Sequence, residues 1–222
     1  MCGRYAIGHV WKEIQERFKA GFKGEWKQRY NASPGQDLPV ILQEDPEEIV
    51  LSRWGLIPHW SKDRNSGYKM INARSETLSE RPSYKTSFQN KRCIIIASGF
   101  YEWKDKVPYY FYHCGDAPLA LAGLYDRWEG TSGELIVSFT IITTPPNPLL
   151  KRYHDRMPLI LDDERPWLSP GTTQHNLMAL LTPYKGDLSH HRVSRDVSNP
   201  RNDYPSLIQE EKTPWESLNE NP

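Results

Sequence analysis

Cys2 lies directly behind the initiator methionine, and that position opens chemistry that Cys93 and Cys114 lack. If Met1 is removed, a single residue carries a free α-amine beside a thiol. An internal cysteine has its nitrogen tied up in an amide. A 1,2-aminothiol attacks an aldehyde carbon with both groups: the amine forms a Schiff base, and the thiolate then closes a thiazolidine ring. Both nucleophiles are usable near neutral pH, with reference pKa values of about 8 and about 8.5. Three other side chains suit proton transfer or orientation. Glu102 stands near the end of the apolar run CIIIASGFYEW at 93–103. On a regular strand it shares a face with Ile94, Ile96, Ser98 and Phe100, and burial there raises a carboxyl pKa toward neutrality. The alternative is a bulge at Gly99 that turns Glu102 to solvent. Asn72 alternates with Arg74 and Glu76. An amide can orient an amine or carbonyl and a guanidinium can hold a phosphate, although a polar edge strand gives the same pattern. His154, flanked by Asp155 and Arg156 in a loop, has the side chain most used for acid–base work near pH 7.

Several elements must position these residues. Residues 1–8 read as a strand. Val10, Ile14 and Phe18 recur at helical spacing, so 10–20 reads as an amphipathic helix ended by Gly21 and Gly24. Asn31, Ser33, Pro34 and Gly35 mark 29–36 as a loop. Segments 38–43 and 48–54 form a strand pair, followed by an aromatic loop from Trp54 to Trp60. Residues 61–92 are clearly basic, with Lys62, Arg64, Lys69, Arg74, Arg81, Lys85, Lys91 and Arg92 against Asp63, Glu76 and Glu80. Such a segment is either a solvated face or a phosphate-contacting one. Segment 93–103 reads as one strand, and 109–113, 119–125 and 135–143 continue the β pattern. The Pro-rich 144–148 breaks it. A helical turn at 149–153, a strand at 157–161, a helix at 173–181 capped by Thr172 or Thr173, and a last strand at 193–197 complete the pattern. Cys93 and Cys114 fall in β-like segments and are expected to be small buried hydrophobes. The expected architecture is one α+β domain, mainly antiparallel, with the sheet curled into a barrel.

Composition sets the bounds. The 222 residues carry 28 basic and 28 acidic side chains, so polyanion binding would need a local basic surface. Eight Trp and twelve Tyr argue against disorder. The odd cysteine count, with no CxxC and no zinc-like Cys/His spacing, predicts neither a disulfide framework nor a metal or other cofactor. The opening MCGRYAIGHVW predicts no secretory leader. No apolar run reaches ~18 residues, so no membrane span is expected, and a reducing cytoplasmic location follows.

Taken in order, the segments Met1-Cys2-Gly3-Arg4-Tyr5, Arg29-Tyr30-Asn31 with Pro34 and Gln36, Arg53-Trp54-Gly55-Leu56-Ile57-Pro58, Ile71-Asn72-Ala73-Arg74-Ser75-Glu76, Gly99-Phe100-Tyr101-Glu102-Trp103 and His154-Asp155-Arg156-Met157-Pro158 resemble the SRAP family (SOS response-associated peptidase-like). The likeness runs from residue 2 to about 208 and leaves a polar tail at about 209–222. Ile96 departs from it, since the family often has Pro there. The resemblance implies a barrel-like core with a positively charged groove. It implies a sensor of abasic sites in single-stranded DNA and at single-strand/duplex junctions; a monomer is the simplest expectation, and the cytoplasmic location becomes nucleoid association if the chain is bacterial. Exposed Cys2 would bond to the ring-opened sugar, with Asn72, Glu102 and His154 in support. Abasic-site lyase activity and removal of its own Met1 go with it. The DNA contacts it suggests are Gly3, Arg4, Arg74 and Arg81, with Asn31 and Thr144 lining the groove and Trp54 and Trp60 stacking or wedging. Two other readings use the same residues: a cysteine peptidase or amidase acting in trans through Cys2, and a non-catalytic binding module.

Overall fold

Ile94, Ile95 and Ile96 follow one another and all three are buried, so the strand that carries them must be covered on both faces. The computed structural model, which describes residues 2–211, shows how. In chain order the strands are β1 Tyr5–Ile7, β2 Gly21–Phe22, β3 Arg29–Ala32, β4 Asp37–Leu42, β5 Asp45–Trp54, β6 Asn72–Arg74, β7 Arg92–Ala97, β8 Gly99–Lys104, β9 Val107–His113, β10 Leu119–Glu129, β11 Leu135–Thr144, β12 Met157–Pro158, β13 Ile160–Leu161 and β14 Leu188–Arg192. The α-helices are α1 Trp11–Phe18, α2 Pro82–Asn90, α3 Arg165–Leu168 and α4 Gln174–Leu180.

β7 pairs antiparallel with β4 on one side and β10 on the other; β4 pairs with β5, and β10 with β11. A parallel contact between β5 and β11, with Arg53 opposite Ser138 and Trp54 opposite Phe139, closes these five strands into a ring. Inside the ring Trp54 stacks on Phe139 with ring centroids 6.3 Å apart and meets Tyr5 at 5.1 Å. Outside, α2 and α3 pack against β7. The second sheet, ordered β14-β9-β8-β1-β3, is antiparallel throughout. The α+β, mainly antiparallel barrel expected from the sequence is the architecture that forms.

Segment 93–103 is the main correction. It is two strands in two sheets, broken at Ser98. The Ser98 amide donates to Ala6 O at 2.7 Å, and its hydroxyl accepts from the Gly8 and His9 amides at 2.6 and 3.1 Å. The chain can cross there because Gly99 has no Cβ; one would overlap the Phe111 carbonyl oxygen and the Tyr110 ring. Residues 29–32, expected in a loop, form β3 beside β1. The expected strand at 193–197 gives way to a 3-10 turn, Arg195–Ser198, started by Ser194 Oγ accepting from the Asp196 amide at 3.2 Å. Among the described residues the last strand is β14, which is half-buried throughout and has Leu188 as its one apolar residue, so no alternation marks it. The basic segment is not one surface either. Arg92 is fully buried, donating to Trp167 O, Phe88 O and Ser169 O at 2.7, 3.1 and 2.8 Å. Cys93 is buried as expected, but Cys114 is exposed because β9 ends at His113. The polar tail beyond 211 and Met1 lie outside the described residues.

Gly99→Ala is expected to lower unfolding stability by about 1–3 kcal/mol through overpacking against backbone. Gly171→Ala, where the nearest atom to an added Cβ is 3.9 Å away, should stay within about 0.5 kcal/mol of wild type. Urea unfolding midpoints of both variants test the sheet crossing.

Candidate active site

The crossing at Ser98 brings β8 alongside the N-terminal strand. Tyr5 lies opposite Phe100 and Ala6 opposite Gly99, and the Tyr101 amide donates to Arg4 O at 3.0 Å. Cys2 and Glu102 therefore meet at one end of this ladder. Cys2 is fully buried. Burial pushes its thiol well above the ordinary range, and the nearby Glu102 charge adds to the effect.

β6 brings Asn72 to the same place. It pairs parallel with β11, setting Asn72 opposite Ile141 and Arg74 opposite Thr143. Asn72 Nδ2 donates to the Cys2 carbonyl at 3.0 Å, and Tyr84 on α2 fixes this strand by donating to Asn72 O at 3.3 Å. Asn72 Oδ1 is buried and has no hydrogen-bond partner among the described residues. An acceptor is thus held beside Cys2, where an amine could use it.

Glu102 is only 2 % exposed. Burial pushes its carboxyl up to about 7, the range in which a carboxyl can both take and give a proton under neutral conditions. His154 Nε2 lies 3.9 Å from Glu102 Oε2. The ring is set by the loop that follows β11: Nδ1 accepts from the Arg156 amide at 2.9 Å. The exposed Asp155 carboxylate lies 2.8 Å from the same nitrogen, an arrangement that favours the imidazolium instead. Burial lowers the His154 pKa, against the opposing pull of Asp155.

Arg156 ties the two halves of the site together, a role not visible in the sequence beyond its place after His154-Asp155. Its buried guanidinium bridges Glu76 and Thr143, with Nη2 at 2.9 Å from Glu76 Oε2 and 3.3 Å from Thr143 Oγ1. The hydrogen bond from Arg156 pushes the Glu76 carboxyl down to about 2.

The structure separates the expected DNA contacts. Gly3 and Arg4 are half-buried beside Cys2, while Arg74 and Arg81 are exposed and in no ion pair among the described residues. Asn31 does not line a groove. It is buried, with Oδ1 accepting from Arg4 Nη1 at 2.9 Å and Nδ2 donating to the carbonyls of Val197, Asn199 and Asn202. Trp54 fills the barrel and offers no face for stacking. Thr144 is fully buried, with its hydroxyl turned to Pro145 O at 3.0 Å. Trp60 is 57 % exposed, but its loop is anchored at the opposite end of the β10–β11 hairpin from Thr143, through His59 to Asp126 and Trp128 to Ser61. Among the described residues no helix is long and apolar enough to cross a membrane, and no group of three or more His, Cys, Asp or Glu side chains is placed to hold a metal ion.

Known proteins resemble this chain over most of its length. The abasic site processing protein YoqW of Bacillus subtilis (strain 168) is 42 % identical, over 94 % of this chain and 99 % of its own. The abasic site processing protein HMCES of Xenopus tropicalis is 35 % identical, over 94 % of this chain and 78 % of its own. A solved structure of a protein from Bacteroides thetaiotaomicron superposes with a TM-score of 0.86 at 26 % identity, covering 95 % of this chain and all of that one. The family model described as SOS response associated peptidase (SRAP) matches residues 1–200, and the chain belongs to that family.

Proposed function

We propose that this protein processes abasic sites in DNA by forming a covalent bond to them through Cys2. The observation that carries the reading is the placement of Cys2 against Asn72 and Glu102, with the Glu102 carboxyl poised at about 7 and His154 3.9 Å away. Once Met1 is removed, the Cys2 amine adds to the aldehyde carbon of the ring-opened sugar and water leaves, giving an iminium. The thiol loses its proton, its sulfur adds to the same carbon, and the iminium becomes a thiazolidine. The net change is protein without Met1, plus DNA, minus one water. A bare iminium hydrolyses or promotes β-elimination of the 3′ phosphate; sulfur capture ends both routes. A chain that stalls at the iminium acts as a lyase.

The site residues divide the proton traffic. Asn72 Oδ1 accepts from the Cys2 ammonium and holds it in place. Glu102 takes a proton from that amine, or gives one to the sugar oxygen as the ring opens. His154 serves the sugar hydroxyl side. In the chain that carries Met1, burial keeps the Cys2 thiol protonated. A free ammonium on the same residue acts in the opposite direction, favouring the thiolate that ring closure needs. Arg74 and Arg81 supply exposed cations for backbone phosphates, so binding should weaken with salt and show little base preference. Single-stranded DNA and single-strand/duplex junctions are the substrates that leave the sugar reachable. Cytoplasmic action as a monomer, with nucleoid association in a bacterial cell, fits this role. Self-removal of Met1 and peptidase activity in trans would draw on the same thiol with Glu102 and His154. Dimethylating the Cys2 amine, which leaves no N–H for iminium formation, blocks ring closure yet leaves the thiol, and so separates the two chemistries.

Intact mass after incubation with a single-stranded oligonucleotide carrying an abasic site is the direct test. The expected product is a heat-stable adduct of the stated mass, absent in Cys2→Ala. No adduct from protein already lacking Met1 would refute the reading. Glu102→Gln should slow adduct formation by about 10²–10⁴-fold and remove a titration near pH 7 from its rate. The same substitution has an independent signature in stability. The carboxyl titrates at about 7 in the fold against 4.5 ordinarily, so the native state binds the extra proton and stability falls as pH rises from 4.5 to 7. Glu102→Gln should flatten this slope and be more stable than wild type by about 3 kcal/mol at pH 8, measured by urea unfolding.

A further inference from the structure

The face of the second sheet that carries Glu102 continues outward into aromatic and cationic side chains that the chemistry above does not use. Tyr109 lies directly opposite Glu102 on β9, and Lys104 follows two residues along β8 on the same face. Tyr153, the residue before His154, lies over this face. Its ring centroid is 4.7 Å from that of Tyr109 and 5.0 Å from His190, and its hydroxyl is 2.5 Å from His190 Nε2. These contacts fix the ring. Above it sits a flexible group, the Lys104 ammonium, 5.6 Å from the ring centroid. Arg152 is exposed beside it, and neither Lys104 nor Arg152 takes part in an ion pair among the described residues.

A rigid ring covered by a displaceable cation, next to a second exposed cation, matches a nucleotide: a planar base to stack and a phosphate to neutralise. Its distance from the reactive centre is set by chain connectivity, since Tyr153 adjoins His154 and Tyr109 pairs with Glu102. We propose that Tyr153 is a stacking platform for the nucleobase next to the abasic sugar, with Lys104 and Arg152 on the adjoining phosphate. This subsite would hold the strand so that the sugar lies over Cys2, and it rests on the abasic-site reading above. The occupant is single-stranded, because a base paired in a duplex has no free face to offer.

A double-mutant cycle across the protein–DNA boundary tests it. Adduct formation is followed against DNA concentration for wild type, Tyr153→Leu and Tyr153→Phe. The oligonucleotides carry one abasic site with ordinary bases on both sides, or with the base on the 5′ or the 3′ side replaced by a tetrahydrofuran spacer that keeps the phosphate. The expected result is a roughly tenfold rise in half-saturating DNA for Tyr153→Leu on the fully based strand. The rise should vanish on one of the two spacer strands, the one lacking the stacked base, while the saturated rate stays unchanged. Tyr153→Phe, which keeps the ring and loses the His190 hydrogen bond, should behave as wild type. Equal effects of Tyr153→Leu on all three strands would assign Tyr153 to packing alone and overturn the subsite, as would no effect on any. Absence of adduct from wild type would instead refute the abasic-site chemistry.

Discussion

A carboxyl group enclosed where water cannot reach it costs free energy, and Glu102 occupies such a place at the meeting point of both sheets. Its burial is imposed by the backbone. The chain runs through the barrel as β7, crosses at Ser98 and Gly99, and re-emerges as β8 with the N-terminal strand on one side and β9 on the other. In the register that sets Phe100 opposite Tyr5, Glu102 is buried. The cost appears as a carboxyl that holds its proton up to about 7. The fold thus spends part of its stability on a proton store beside Cys2, as expected where polar groups are retained for chemistry.

The remaining site geometry follows from how that corner is braced. β11 is shared: its first half closes the barrel against β5, and its second half carries β6 and leads into the His154 loop. Arg156 clamps this region by joining Glu76, just past β6, to Thr143 near the end of β11. Asn72 and His154 come from segments far apart in sequence, yet one buried guanidinium limits how far they can separate. Asn31 performs the same service on the other flank, holding Arg4 and the carbonyls of Val197, Asn199 and Asn202 at once.

How far the sequence disclosed this depends on the kind of signal. The helix at α1, the β4–β5 pair and the β10–β11 region lie close to where the sequence places them, although α1 ends at Phe18 with Lys19 as its left-handed cap and Gly21 already belongs to β2. For Glu102 the sequence pattern points to burial for a reason the structure corrects. One continuous strand from 93 to 103 predicts a buried carboxylate in line with Ile96, but the strand ends at Ala97 and the burial comes from a different sheet. A strand buried on both faces has no alternation to reveal where it stops, and only Gly99 hints at the break. Asn31, Thr144 and Trp54 show the opposite failure. Polar and aromatic residues in short motifs look functional, whereas here they satisfy backbone carbonyls, cap a strand end and fill the barrel. Local sequence cannot tell an amide that binds a ligand from one that ties down its own chain, because the carbonyls that Asn31 holds are more than 160 residues away.

The same distinction governs the cations. Net charge is zero, so any attraction for a polyanion must come from where individual charges stand. Arg92 is sealed beneath α2 and α3, Arg156 is committed to Glu76, and Arg4 is partly committed to Asn31 and Val197. Such groups shape the site but have little freedom to turn toward a phosphate. Arg74 and Arg81 flank the Asn72 corner, and Lys104 and Arg152 flank the Glu102 corner on the second sheet. These four are exposed and outside ion pairs among the described residues. Within the basic segment 61–92, folding buries Arg92 as a structural charge and leaves Arg74 and Arg81 exposed.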